Sequence, residues 1–265
     1  MDIQSILLTL KTWFDNYTHR FLSDDPIVQK AMDLKVEHTR RVCEGIVKIG
    51  LSLDLSDEDL CIAEISALLH DVGRFEQYRR YKTFLDYKSE DHALLSVTVI
   101  QNNQVLCTLD PSVSKDILKV IKYHNRATLS FGEEDRCLFF LKLLRDADKL
   151  DIWRMLTVYY LNAGHDRNQS IELDLPNTPQ VSASVYEAII NGKPVKMSDL
   201  KTLTDFKLLQ IGWVYDLNFP VTFKIVLEKG YLESIRNALP RKSAQVNEIY
   251  KRARAYVEKI VIKDL

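Results

Sequence analysis

The sequence predicts an all-α fold, a helical bundle followed by a helical C-terminal extension, and three observations point there. Apolar residues recur at i, i+3 and i+4 along most of the chain, the spacing of one buried helix face. Only 8 glycines and 7 prolines occur in 265 residues, against a usual share of about 7% and 5%, too few for a turn-rich sheet or barrel. Hydrophobic residues make up 46% and charged residues 28%, the balance of a globule that can bury a sizeable core.

Taken in order, residues 3–20 read as an amphipathic helix. A second spans 26–50, with Asp25 as N-cap, Pro26 at the first helical position and Gly50 as the stop. Ser56, with Asp59 three residues on, caps a third that ends at His70-Asp71 and a turn at Gly73. The basic and aromatic stretch 74–88 has no clean period and reads as a loop or short helix over a site. Ser89 is expected to cap a helix to about Asn103. Another runs from Ser112 to about Tyr123, followed by a loop at Asn125–Gly132. A long helix over 133–160 is expected to end near Asn162-Ala163-Gly164. Beyond the irregular stretch 165–181, helical patterns continue over 182–265, broken at Pro194, Pro220, Gly230 and Pro240. Composition does not shift across 165–181, so a single helical domain over 1–265 is expected, with its core at 26–160 and an extension at 182–265.

Charge and motifs exclude several classes. A net charge of -1 leaves no electrostatic footprint for a nucleic acid polymer. Clustered glycines, the mark of P-loops and dinucleotide folds, are absent from the sequence. No stretch approaches 18 uncharged apolar residues, so no membrane partner is expected. The N-terminal segment lacks a basic region and a cleavage site, which points to the cytoplasm. Cys43, Cys61, Cys107 and Cys137 form no C-x-x-C pair and read as small buried hydrophobes in helices.

The chemistry lies in the histidines. There are six, and His38, His70, His92 and His124 each share a helix face with apolar or small residues, so all four are expected to point inward. His19 and His165 fall outside this pattern and read as structural or surface residues. In the run RDADKLD, Asp148 falls on the face of Cys137, Leu141 and Leu144, whereas Asp146 falls on a more polar face. A carboxylate in an apolar interior costs several kcal/mol unless a cation or strong donors compensate, so inward aspartates beside inward histidines point to a metal. Imidazole with carboxylate suits Mn, Fe, Co, Ni or Zn, Mg less well, and the absence of thiolates argues against a closed structural zinc.

The order His38, His70-Asp71, Asp148, with LLHDVGR and RDADKLD, resembles the HD superfamily of metal-dependent phosphohydrolases over roughly residues 30–155. The resemblance implies an HD-domain helical bundle in which His38, His70, Asp71 and Asp148 hold one divalent metal. His92 and His124 match the two histidines that relatives with two ions add, with Asp71 bridging. The Gly-Tyr-Pro signature of cyclic-dinucleotide phosphodiesterases is missing after His124. The implied reaction is hydrolysis of a small phosphorylated substrate, a phosphate ester or nucleotide, by metal-activated water, with Asp71 assisting. Arg74, three residues beyond Asp71, is the first choice for a phosphate-binding cation, with Lys149 beside the last ligand. Arg79, Arg80 and Lys82 read as a solvated basic loop. Asp151, one turn past Asp148, reads either as an orienting group behind a ligand or as a surface acid. Tyr78, Tyr81, Phe84 and Tyr87 read as a small aromatic core or a stacking surface. Trp213, Tyr215, Phe219 and Phe223 supply apolar bulk, either for the core or for a homodimer. Two other readings remain: a di-iron oxygenase built on the same ligand pattern, and a silent HD module that signals by binding.

Overall fold

A computed structural model describes residues 2–126, 136–162 and 171–263. Among these only α-helices and short 3-10 turns occur, the all-α class the sequence predicts. Residues 127–132 of the loop expected at 125–132, the first residues of the helix expected over 133–160, its expected stop beyond Asn162, His165 and part of 165–181 lie outside the described residues. The chain falls into two compact units, Met1–Asp151 and Ile152–Leu265. No described helix is long and apolar enough to cross a membrane.

In the first unit, α1 (Ile3–His19) is capped by the Asp2 carboxylate, which accepts from the Ser5 N–H at 2.9 Å. Its buried Phe14 and Tyr17 meet the ring of Phe75 edge-on, and the Tyr17 hydroxyl donates to the Val72 carbonyl. These contacts fix the chain just after the His70-Asp71 pair to the α1 face. Burial raises the Tyr17 phenol far above its ordinary range, so it stays a donor.

Helix α2 (Pro26–Ser52) begins as expected, with Asp25 accepting from Ile27 and Val28. It runs two residues past Gly50, and the reason is steric. A Cβ at Gly50 would meet Leu60 at 2.7 Å and Leu55 at 3.2 Å, so the glycine serves close helix approach rather than termination. Helix α3 (Asp57–Leu69) starts at the Ser56 cap and ends at His70, its C-cap. Helix α4 (Gly73–Tyr81) occupies the first half of the stretch read as loop or short helix. A 3-10 turn follows at Asp86–Lys88.

Helix α5 (His92–Asn102) is capped by Asp91, not Ser89: the Asp91 carboxylate accepts from Ala93 and Leu94, while the Ser89 hydroxyl bonds the Leu85 carbonyl and accepts from Gln77. Helix α6 (Pro111–Tyr123) takes Asp110 as cap and Pro111, one residue before the expected start, at its first position. Helix α7 (Arg136–Asn162) is buried nearly all round between Cys137 and Leu150, its charged Arg145, Asp146 and Lys149 included. Cys43, Cys61 and Cys137 are buried free thiols, but Cys107 is exposed and sits after the end of α5 rather than inside a helix.

The second unit contains the last turns of α7 with α8 (Ala183–Ile190), α9 (Leu203–Gly212), α10 (Pro220–Glu228), α11 (Tyr231–Asn237) and α12 (Ala244–Lys263). Fully buried Trp153 lies near Trp213 and Tyr231 and donates its indole N–H to the Gln210 carbonyl. The Asp205 carboxylate is also fully buried. It accepts from Ser182, from the Lys201 and Thr202 backbone, and completes a capping box with Thr202, so its charge is met by donors. Tyr215 and Phe223 pack on Tyr256 of α12. Pro220 opens α10 rather than breaking a helix, and Gly230, at φ +61°, makes the turn into α11.

Candidate metal centre

Each inward histidine gets its orientation from local structure. His70 and His124 are the C-caps of α3 and α6, where carbonyls lack helical partners. Each ring turns back on its own last turn: His70 Nδ1 lies 2.7 Å from the Ala67 carbonyl and His124 Nδ1 2.6 Å from the Ile121 carbonyl. A carbonyl only accepts, so both rings carry the proton on Nδ1 and present a bare Nε2. His92, first residue of α5, has Nδ1 at 2.6 Å from Asp86 Oδ2. His38, in mid-α2, has Nδ1 at 2.7 Å from Asp151 Oδ2. All four rings are buried.

The Nε2 atoms converge on Asp71, which is 3% exposed. Its Oδ2 lies 3.8 Å from both His38 Nε2 and His70 Nε2, and its Oδ1 lies 3.6 Å from His92 Nε2. Asp148 Oδ1 is 3.1 Å from His38 Nε2 and 3.9 Å from His70 Nε2. Beside a half-buried group of Asp86, Asp91 and His92, two fully buried sets of ligand atoms, each mutually within 4.8 Å, are able to hold a metal ion: His38, His70, Asp71 and Asp71, His92, His124. Asp71 belongs to both.

The residues fit divalent ions on chemistry as well as spacing. His70 Nε2 and Asp71 Oδ1 are buried with no hydrogen-bond partner among the described residues, and orphaned buried acceptors within ligand sets are the expected state of ligands without their cation. His92 Nε2 and His124 Nε2 stand 3.2 Å apart, two lone-pair atoms with both Nδ1 positions already committed. Carboxylate or carbonyl groups behind every imidazole are the usual outer support of metal-binding histidines.

The charges follow the same layout. Burial lowers His92 and His124 to about 4, with Arg74 adding to the shift at His92 and His70 to that at His124. Burial likewise lowers His70. Burial works against charge on His38, yet hydrogen bonds to Asp148 and Asp151 raise it overall. At Asp71 burial is outweighed by Lys35, His70 and Arg74, which hold the carboxylate well below its usual range. Asp86 is lowered to about 2, burial being overcome by the His92 hydrogen bond.

The remaining sequence candidates are distributed as follows. Asp151 lies behind His38 and takes a bidentate contact from Arg41, at 2.6 and 3.3 Å. Arg74 spends Nη1 on Gln77 Oε1, the Phe84 carbonyl and Asp86 Oδ1, and brings only Nε, at 3.4 Å, to Asp71. Lys149 is buried on α7. The burial expected for the two aspartates of α7 is reversed: Asp146 is 0% exposed, whereas the Asp148 side chain is 20% exposed and still reaches His38. Helix α7 is enclosed on all sides at this level, so it has no single apolar face to read. Arg79 and Arg80 pair with Glu76, and Lys82 is the left-handed C-cap of α4. Tyr78 packs on Phe84, whereas Tyr81 and Tyr87 are exposed.

A family model described as the HD domain matches residues 36–153. That stretch contains all six converging ligand candidates. Residues 36–153 are an HD domain. Among curated proteins, one from Bacillus subtilis (strain 168) named "Putative phosphohydrolase YueE" is 27% identical over 143 residues, covering 53% of this chain and 76% of that protein. No solved structure matches the chain.

Sequence reasoning missed three residues that surround the ligand cluster. Lys35 and Arg41 lie three residues before and after His38 on the same face of α2, a periodicity that would have placed both beside it. Asp86 carried no such signal, because its segment has no period and is positioned by Gln77, which donates to Asp86, Ser89 and the Glu90 carbonyl.

Proposed function

We propose that the chain is a metal-dependent phosphohydrolase that cleaves a small phosphate ester or nucleotide by in-line attack of water. The observation that carries this reading is the membership of Asp71 in both ligand sets, which brings two candidate cation sites to one carboxylate; a pair of ions held there would suit in-line displacement at phosphorus. The name of the Bacillus subtilis relative supports the same reading.

His38, His70, Asp71 and Asp148 are the residues to hold one divalent ion, and Asp71, His92 and His124 a second; Mn, Fe, Co, Ni or Zn suits nitrogen with carboxylate oxygen. Such an ion supplies Lewis acidity, making water acidic enough to act at neutral pH and offsetting charge on phosphoryl oxygens. The chain supplies the rest. Asp151 and Asp86 keep the protons of His38 and His92 on Nδ1, so that both Nε2 atoms point inward. Lowered affinity for protons at His92 and His124 keeps those rings neutral and available near pH 7.

The test is metal analysis of the purified protein, then a screen of phosphate esters and nucleotides with Mn, Fe, Co and Ni, run with and without dioxygen. Bound metal and release of phosphate in the absence of dioxygen are expected. Oxygen consumption coupled to iron would replace this reading by the di-iron oxygenase, and absence of both metal and turnover by the silent module.

A further inference from the structure

Among the described residues two side-chain cations of Lys or Arg face Asp71, one on each oxygen, and their circumstances differ. Arg74 approaches Oδ1 through Nε, but its Nη1 is committed to Gln77, Phe84 and Asp86, so its guanidinium holds the chain between α4 and α5 in place. Lys35 is otherwise engaged by one hydrogen bond, from Nζ to Asp71 Oδ2 at 2.8 Å, and lies 5.3 Å from the centre of the Phe84 ring. An ammonium has three donors, so two remain without a partner among the described residues. The Lys35 side chain is 16% exposed, on a four-carbon stem that lets its head move without shifting the helix.

Oδ2 is also the Asp71 oxygen that faces His38 Nε2 and His70 Nε2. Lys35 therefore puts a positive charge on the carboxylate oxygen of the first ligand set. Resting on the hydrolase reading above, we propose that Lys35 is the phosphate-binding cation of this site, and that it is held on Asp71 until metal charge takes its place. A divalent ion and an ammonium compete for the same oxygen. Metal loading weakens the hold of Asp71 on Lys35 and makes its donors available to a phosphoryl oxygen, so metal and phosphate binding are coupled. Without a metal, Lys35 supplies the cation on Oδ2, the Asp71 oxygen that Arg74 does not face.

The experiment compares full-length wild type, Lys35→Met and Lys35→Arg by calorimetric titration, first with Mn(II) on metal-free protein and then with inorganic phosphate on Mn-loaded protein. Lys35→Met is expected to bind Mn(II) more tightly and to show a larger Mn-induced rise in melting temperature, because the competitor is gone and the ion now meets an Asp71 Oδ2 that has lost its cation. The same variant should bind phosphate at least about tenfold more weakly, in line with the loss of a charge-assisted contact, and Lys35→Arg should recover part of that loss. Unchanged phosphate affinity in Lys35→Met, or weakened Mn(II) binding, overturns the proposal. If wild type takes up no Mn(II) or other divalent ion, the hydrolase reading itself fails, a result distinct from either.

Discussion

His92 and His124 face each other Nε2 to Nε2 at 3.2 Å, while Asp86 and the Ile121 carbonyl hold their Nδ1 atoms. Two neutral rings in these tautomers have no hydrogen to share, and burial resists protonating either. A cation between them and Asp71 resolves the conflict. His124→Ala is therefore expected to lower metal stoichiometry by the ion of the Asp71, His92, His124 set while leaving the His38, His70 set occupied. Metal analysis of Mn-loaded variant and wild type checks this; equal stoichiometry would exclude His124 as a ligand.

The two carboxylates of α7 should separate by type of defect. Asp148 is close to His38 and His70, so Asp148→Ala should lose metal and activity with little change in folding. Asp146 is fully buried, so Asp146→Ala should mainly reduce stability, by about 1–3 kcal/mol for loss of buried polar bonding. Melting curves with metal content read both, and a greater metal loss in Asp146→Ala would reverse the assignment.

The ligand candidates were legible because helices advertise their inward positions: His38, His70, His92 and His124 each stand among apolar or small residues at 3- and 4-residue spacing. The supporting layer was less so. Asp86 reaches His92 only because Arg74 and Gln77 fasten an irregular segment, and such tertiary bonds leave no local pattern. The faces of α7 were misread for a related reason, since a helix enclosed on all sides loses the contrast on which periodicity depends.

Acid should destabilise the metal-free protein in a defined window. His92 and His124 titrate near 4 when folded and near 6.5 when unfolded. Between those values the unfolded chain binds more protons, so stability rises with pH and falls on acidification from about 6.5 to about 4. His38 is shifted the other way, but it is common to wild type and to a His124→Asn variant and drops out of their comparison. Denaturant titrations of chelator-treated protein should show a flatter pH dependence in the variant across that window; parallel curves would contradict the buried neutral state of His124.

Gly73 offers a test that touches no ligand atom. It lies two residues after Asp71, and its N–H donates to the Ser96 hydroxyl of α5 at 2.9 Å. A Cβ there would collide with the backbone of α5: the Ser96 nitrogen, the His92 carbonyl oxygen at 2.7 Å and the Leu95 carbonyl carbon at 2.8 Å. None of these is the end of a flexible side chain, so α4 and α5 must separate to admit a methyl group. Overpacking of this kind costs about 1–3 kcal/mol or more. Because the displaced backbone begins at His92, Gly73→Ala is expected to lower the melting temperature and to weaken metal binding at the Asp71, His92, His124 set more than at the His38, His70 set. A variant with wild-type stability and full metal content would mean that the two helices can part without moving His92.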